Sequence, residues 1–251
     1  KSSEHEEEIY RLIAHLCVRM SATDYLKLPK RIDNDILIEL PKKAQKYYDD
    51  MEKELYFEME SSEDFTAMAA SSRRIKCHQI ANGCIYEDQD ELEKPIASNK
   101  RPYHVLHEAK LDALDDLLEE LDHKPVLIGY NFVHDIKQLK KRYGNRLKVL
   151  GNGTSIEECQ RLERNWNKGK ISMLAAYPGT NALGLNLQEL GHDIVWYSMV
   201  DDWESYDQFV KRILRQGVKG SHVRVHHLIA KGTIDQVIYA SLSDKERNQG
   251  R

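Results

Sequence analysis

The stretch Pro125–Leu150, PVLIGYNFVHDIKQLKKRYGNRLKVL, decides how the rest of the chain is read. It opens on a short apolar run, VLIGY, entered through Pro125, whose length suits a buried strand. VHDIKQLKKRY then carries apolar residues at helical spacing, and LKVL reads as a second, weaker strand. Strand, helix and strand in that order favour a unit whose two strands run parallel.

The alternation continues on both sides. Upstream, AKLDALDDLLEEL (109–121) is helical. Downstream, SIEECQRLERNWNKG (155–169) is helical, ISMLAAY (171–177) is a strand ending at Pro178, and DIVWYS (193–198) is another strand. QFVKRILRQG (208–217) is expected to be a helix, SHVRVHHLIA (221–230) a strand of alternating polarity, and TIDQVIYASLSDKERN (233–248) a closing helix. Near-continuous apolar strands between helices imply a parallel sheet covered on both faces. Residues 105–251 are therefore expected to form a doubly wound α/β domain whose ligands collect at the carboxyl ends of the strands. Residues 1–104 read as an incoming strand, RIDNDILIEL (31–40), with a mostly helical subdomain carried by HEEEIYRLIAHLCVRM (5–20) and KKAQKYYDDMEKELYFEME (42–60). EDQDELEKPIASNKRP (87–102), with two prolines and many charges, reads as a loop or linker.

The 251 residues are enough to bury a sizeable core without staples. A 41% hydrophobic and 31% charged composition is that of an ordinary globular protein. No apolar run approaches the ~20 residues that span a bilayer, and KSSEHEEE is too acidic for a signal peptide, so a cytoplasmic location and a monomer are expected. Cys17, Cys77, Cys84 and Cys159 form no CxxC pair, which favours reduced thiols. Cys77, His78, Cys84, His104 and His107 fit no zinc spacing, and no metal site is assigned. The net charge of -4 argues against coating nucleic acid by bulk electrostatics, so any such binding is local.

Two segments carry candidate chemistry. Gln208, Lys211, Arg212 and Arg215 recur at three- and four-residue steps, and a helix would set them on one side, where guanidinium groups can meet a phosphate with bidentate geometry. A solvated basic face would show the same pattern. In PGTNALGLNLQELG (178–191), Gly179 and Gly184 permit a tight turn while Thr180, Asn181 and Asn186 offer short polar groups for phosphate or sugar; a plain connection would use the same residues. The Walker phosphate loop GxxxxGK[ST] is absent.

Taken together, ISMLAAYPGTNALGLNLQELGHDIVWYS followed by QFVKRILRQG resembles motifs V and VI of superfamily 2 helicases, in the form found in Swi/Snf-type DNA translocases and closest to their small bacteriophage members. PVLIGYNFVHDIKQL resembles motif IV, CHQIANGCIYED with LHEAKLDALDDLLEEL resembles the run before it, and DYLKLPKRIDNDILIELPKKAQKYYDDMEKEL resembles the segment entering the second motor lobe. HHLIAKGTIDQVIYASLSDK resembles the closing strand and helix, so the likeness runs from about Ile9 to Lys245. The resemblance implies a RecA-like C-terminal lobe that contacts ATP through Gln208, Arg212 and Arg215, with Arg215 as the arginine finger. It implies that Gly184 and Asn186 couple nucleotide to DNA, and that Thr180, Tyr130 and Asn131 meet the DNA backbone. ATP and Mg2+ would be held mainly by a missing N-terminal lobe, the chain being the second half of a longer translocase that is inactive alone, acting in a bacterial host cytoplasm if phage-encoded. Val218, Asn181, Ala182 and Asp201 depart from the family pattern. Two other readings compete: a DNA- or protein-binding regulatory module without motor activity, and an unrelated α/β enzyme using Asp201, Asp202 and His192.

Overall fold

The structure is a computed structural model that describes residues 8, 11, 12, 28–61, 67–87, 100–151, 153–179 and 184–249. The strands are β1 (Lys30–Ile38), β2 (Cys84–Tyr86), β3 (Tyr103–Val105), β4 (Val126–Gly129), β5 (Leu147–Leu150), β6 (Met173–Ala176), β7 (Asp193–Trp196) and β8 (His222–Ala230). The helices treated below are α1 (Lys42–Ser61), α2 (Ala67–Ala81), α3 (Ala109–Glu120), α4 (Val133–Tyr143), α5 (Ile156–Asn167), α6 (Trp203–Val210) and α7 (Ile234–Gln249). Six strands form one sheet in the order β1-β8-β7-β4-β6-β5, and every pairing in it is parallel. The expected RecA-like α/β fold is thus present, and the incoming strand β1 forms an edge of the same sheet, Lys30 opposite His222 through Ile38 opposite Ala230.

The strand run VLIG shows why the sheet has two covered faces. Val126 and Ile128 turn into a core with Leu111, Leu114, Leu118, Ile136 and Leu139 from α3 and α4. Leu127, between them, turns into the opposite core with Leu162, Trp166, Phe209 and Ile238. The two-residue period of a strand demands this division, and a run apolar at every position can satisfy it. Gly129 ends the strand where a Cβ would come within 2.7 Å of the Trp196 ring.

The expected alternation of β8 is not what forms. Val225–Ala230 is buried throughout, because β8 lies between β1 and β7 with helices over both faces. The two histidines of this buried run are satisfied internally: His226 Nε2 lies 2.9 Å from Asp193 Oδ1, and His227 Nε2 lies 2.7 Å from the Tyr206 hydroxyl.

A buried polar net fastens the N-terminal elements to the sheet. Lys110 Nζ, only 1% exposed, sits 2.5 Å from Asp235 Oδ2 at the start of α7 and donates to Asn82 Oδ1 at 2.6 Å. Asn82 Nδ2 donates in turn to Ser198 Oγ, just beyond β7, at 2.7 Å. Buried charges of opposite sign that are hydrogen-bonded to each other tolerate burial, whereas either one left alone would not. The short antiparallel pair β2–β3 was not expected from sequence. HEEEIYRLIAHLCVRM, apart from residues 8, 11 and 12, lies outside the described residues, as does most of the expected linker.

Candidate nucleotide and nucleic-acid interface

The expected helix over residues 208–217 ends at Val210. Asp202 caps its start by accepting from the Ser205 amide at 2.8 Å, a bond that holds the Asp202 carboxyl below its usual range. Past Val210 the backbone loosens: Lys211 N still bonds Asp207 O, but Arg212 N bonds Phe209 O and Arg215 N bonds Ile213 O. The Arg212 carbonyl accepts instead from the Leu187 amide at 3.4 Å, so a tertiary partner replaces the next helical bond. The four polar residues therefore do not share a helical face, which corrects the sequence expectation.

The turn nevertheless brings them to one place. Gln208, Lys211, Arg212 and Arg215, with Leu28, Gln188, Leu214 and Gln216, line a cleft of 560 Å³. Three of the four have partners: Gln208 Nε2 donates to Glu204 Oε1 at 3.0 Å, Lys211 Nζ to Asp207 Oδ2 at 2.6 Å, and Arg215 Nη1 to Asn186 Oδ1 at 2.6 Å. Arg212 differs, since its Nε is buried and has no hydrogen-bond partner among the described residues. Burial first, and the neighbouring Arg215 second, push its guanidinium below the ordinary value; the group remains charged at any working pH. A donor already stripped of water beside a second cation would be stabilised by an anion.

Asn186 is itself held from α5. Its amide donates to Glu163 Oε1 at 2.8 Å, and its carbonyl accepts from Asn167 Nδ2 at 2.8 Å. The sequence thus chose Asn186 and Arg215, and the structure joins them; Glu163 and Asn167, which position the pair, were missed because nothing in a helix pattern marks a side chain that reaches a distant loop. Gly184 is exposed, and none of the described residues comes within 4 Å of where a Cβ would stand. Thr180, Asn181 and Ala182 lie outside the described residues. Val218 packs half-buried against the core.

Tyr130 and Asn131 sit at the carboxyl end of β4 and do not line the arginine cleft. Tyr130 is 7% exposed, its ring 6.1 Å from Tyr177, and burial pushes its phenol up to about 12. Asn131 is half-buried, with its amide 3.3 Å from Asp135 Oδ2. The unrelated-enzyme reading does not survive: His192 precedes β7 while Asp201 and Asp202 follow it, and the two acids are engaged with Arg74 and the Ser205 amide. Burial also pushes the Cys77 and Cys84 thiols up to about 11 and about 12, which keeps them protonated.

Among the described residues the cleft lining supplies guanidinium, ammonium and amide groups and no carboxylate, so it fits a phosphate and does not fit Mg2+.

Residues 109–217 match the helicase conserved C-terminal domain. The chain is 34% identical over 241 residues to protein p41 of Acyrthosiphon pisum secondary endosymbiont phage 1, covering 94% of this chain and 48% of that protein. It is 24% identical over 257 residues to an uncharacterized ATP-dependent helicase of Mycoplasma genitalium, covering 98% and 23%. The chain therefore spans about half, or less, of these relatives. Among solved structures it is similar to the C-terminal part of the Fun30 ATPase domain, with TM-score 0.65 and 15% identity over 86% of this chain and 89% of that one. It is also similar to the Sulfolobus solfataricus SWI2/SNF2 ATPase core in complex with dsDNA, with TM-score 0.59 and 18% identity over 94% and 49%.

Proposed function

From the premise that this chain is a C-terminal RecA-like lobe of the Snf2 helicase type, we propose that it is the second motor lobe of an ATP-dependent DNA translocase. Arg215 acts as the arginine finger, Arg212 as a second phosphate contact and Gln208 as a nucleotide contact, all directed at ATP bound on an N-terminal lobe that also holds Mg2+. Gly184 and Asn186 belong to the loop between nucleotide and DNA, and Thr180, Tyr130 and Asn131 to the DNA side. The observation that carries the reading is the buried Nε of Arg212, unpartnered among the described residues, beside Arg215 in a cleft that they line without a carboxylate. A phosphoryl group in flight is stabilised by such preplaced charge. Supporting the DNA part, the similar Sulfolobus core is a complex with dsDNA.

The test is reconstitution. The 251-residue chain alone should turn over no ATP, and a polypeptide joining it to a Snf2-type first lobe should show DNA-stimulated turnover. Turnover by the chain alone would overturn the assignment.

One observation favours a second reading. Arg215 and Gln208 are each already satisfied within the lobe, by Asn186 and Glu204, as a DNA- or protein-binding regulatory module would have them. Persistent inactivity with a first lobe joined, together with intact DNA or protein binding, would select that reading.

A further inference from the structure

The β2–β3 hairpin lies against the start of α4, bonded to His134 three residues past Asn131, and its geometry is that of a built surface. Gly83, at φ +97°, turns the chain into β2, and its carbonyl accepts from the Leu106 amide at 2.7 Å. The Tyr86 hydroxyl accepts from the His134 amide at 3.2 Å, and the Tyr103 hydroxyl accepts from Gln138 Nε2 at 3.2 Å, so the hairpin is strapped across the first turns of α4. Over these two rings stand two cations: Arg101 Cζ is 5.2 Å from the Tyr86 centroid, and Lys137 Nζ is 5.3 Å from that of Tyr103. Arg101 Nε and Nη2 also donate to the Glu87 carbonyl.

These cations are held differently from structural ones in the same molecule. Arg224 is bidentate on Asp193, and Arg31 sits on Asp33 and Glu246. Among the described residues neither Arg101 nor Lys137 makes an ion pair, and the carboxylate of Glu87 is taken by His104 at 3.1 Å. A ring face orients a cation without neutralising it. Rings covered by cations and packed against His134, 4.9 Å from Tyr86, offer no open platform for stacking a base.

We propose that Arg101 and Lys137, positioned by Tyr86 and Tyr103, contact the phosphate backbone of duplex DNA, extending the track beyond Asn131. This rests on the DNA reading above. The two charges read no sequence and add to the salt dependence of binding.

The experiment measures the affinity of this chain for a fluorescent duplex as salt is raised, for the parent, for R101Q/K137Q and for the charge-conserving R101K/K137R. Losing two contacts should lower the log–log salt slope by about 1.8, so the affinity loss between about 50 and about 200 mM salt shrinks by about tenfold. R101K/K137R should keep the parent slope, and equal melting temperatures for the three chains separate charge from folding. An unchanged slope in R101Q/K137Q overturns the hairpin proposal and leaves the DNA reading standing. No salt-dependent binding by the parent overturns both, and tighter binding of a single strand than of the duplex overturns the duplex assignment.

Discussion

Arg142 and Arg212 are both arginines on the flank of the same α/β sheet, and they are treated in opposite ways. Arg142 bonds three carboxylates, Nη1 to Glu108 at 3.2 Å and Nη2 to Asp112 at 2.6 Å and Asp115 at 2.7 Å. Arg212 is given a buried, unsatisfied Nε and a second arginine for a neighbour. The first arrangement fastens α4 to α3. The second is unfavourable to the lobe by itself and would be relieved by an anion, which is what the proposed phosphate site requires and a strut does not.

The largest expected effect is at Arg215. In a two-lobed protein Arg215→Ala should lower ATP turnover about 10³-fold or more with little change in DNA affinity, and Arg215→Lys should restore little of it, because a point charge lacks the planar fork. Steady-state turnover with duplex in excess checks this. A rescue by lysine would move Arg215 from a phosphate-facing group to a general positive charge.

Next comes the buried pair. Lys110→Met leaves Asp235 charged without its ammonium partner, and chemical denaturation should show a loss of about 3–5 kcal/mol. Smaller and more diagnostic is the contrast between the two arginines in stability. Arg142→Ala should cost about 1 kcal/mol, its network being partly exposed, and lower the melting temperature by about 2–4 °C. Arg212→Ala should leave the melting temperature unchanged or raise it, since it removes a desolvated charge and a like-charge contact. Equal losses at both positions would erase the distinction drawn between them.

Acid should act through buried imidazoles. Burial, with Lys110 adding to it against the pull of Asp235 and Asp135, holds His78 below its ordinary value, and burial does the same to His107. A base whose folded value is depressed favours the unfolded chain once protonated. The stability it protects is therefore complete above the unfolded value of about 6.5 and declines as pH falls below it. Melting temperature followed from neutral pH downward should begin to drop near that value, and His107→Gln should flatten the drop.

Much of this was legible in the sequence, and the exceptions have one origin. VLIG, MLAA and DIVW announced buried parallel strands because every position is apolar or is Asp193, whose partners Arg224 and His226 come from the neighbouring strand. The end of α6 was not legible, because it depends on the Leu187 amide taking the Arg212 carbonyl. Nor was the burial of β8, which follows from its place between β1 and β7. The hairpin escaped because CIY and YHV are three-residue strands, too short for any periodicity to show. In the cleft and at Asn186 beside it, residue types at Gln208, Arg212, Arg215 and Asn186 pointed to phosphate chemistry, but which arginine is satisfied and which is left unpaired is a property of the folded turn. Tyr130 shows the limit from the other side: its place at the end of a strand was legible, but the packing of its ring on Tyr177 was not.

The central claim is that this cleft serves a phosphate and is not a solvated basic surface, and two adjacent residues test it. Lys211 is exposed and paired with Asp207 one turn back, whereas Arg212 is half-buried and unsatisfied. DNA-stimulated ATP turnover of Lys211→Ala and Arg212→Ala, measured side by side in a two-lobed protein, should show near-parental rates for the first and a loss of about tenfold or more for the second. Equal, mild losses at both positions would contradict the account.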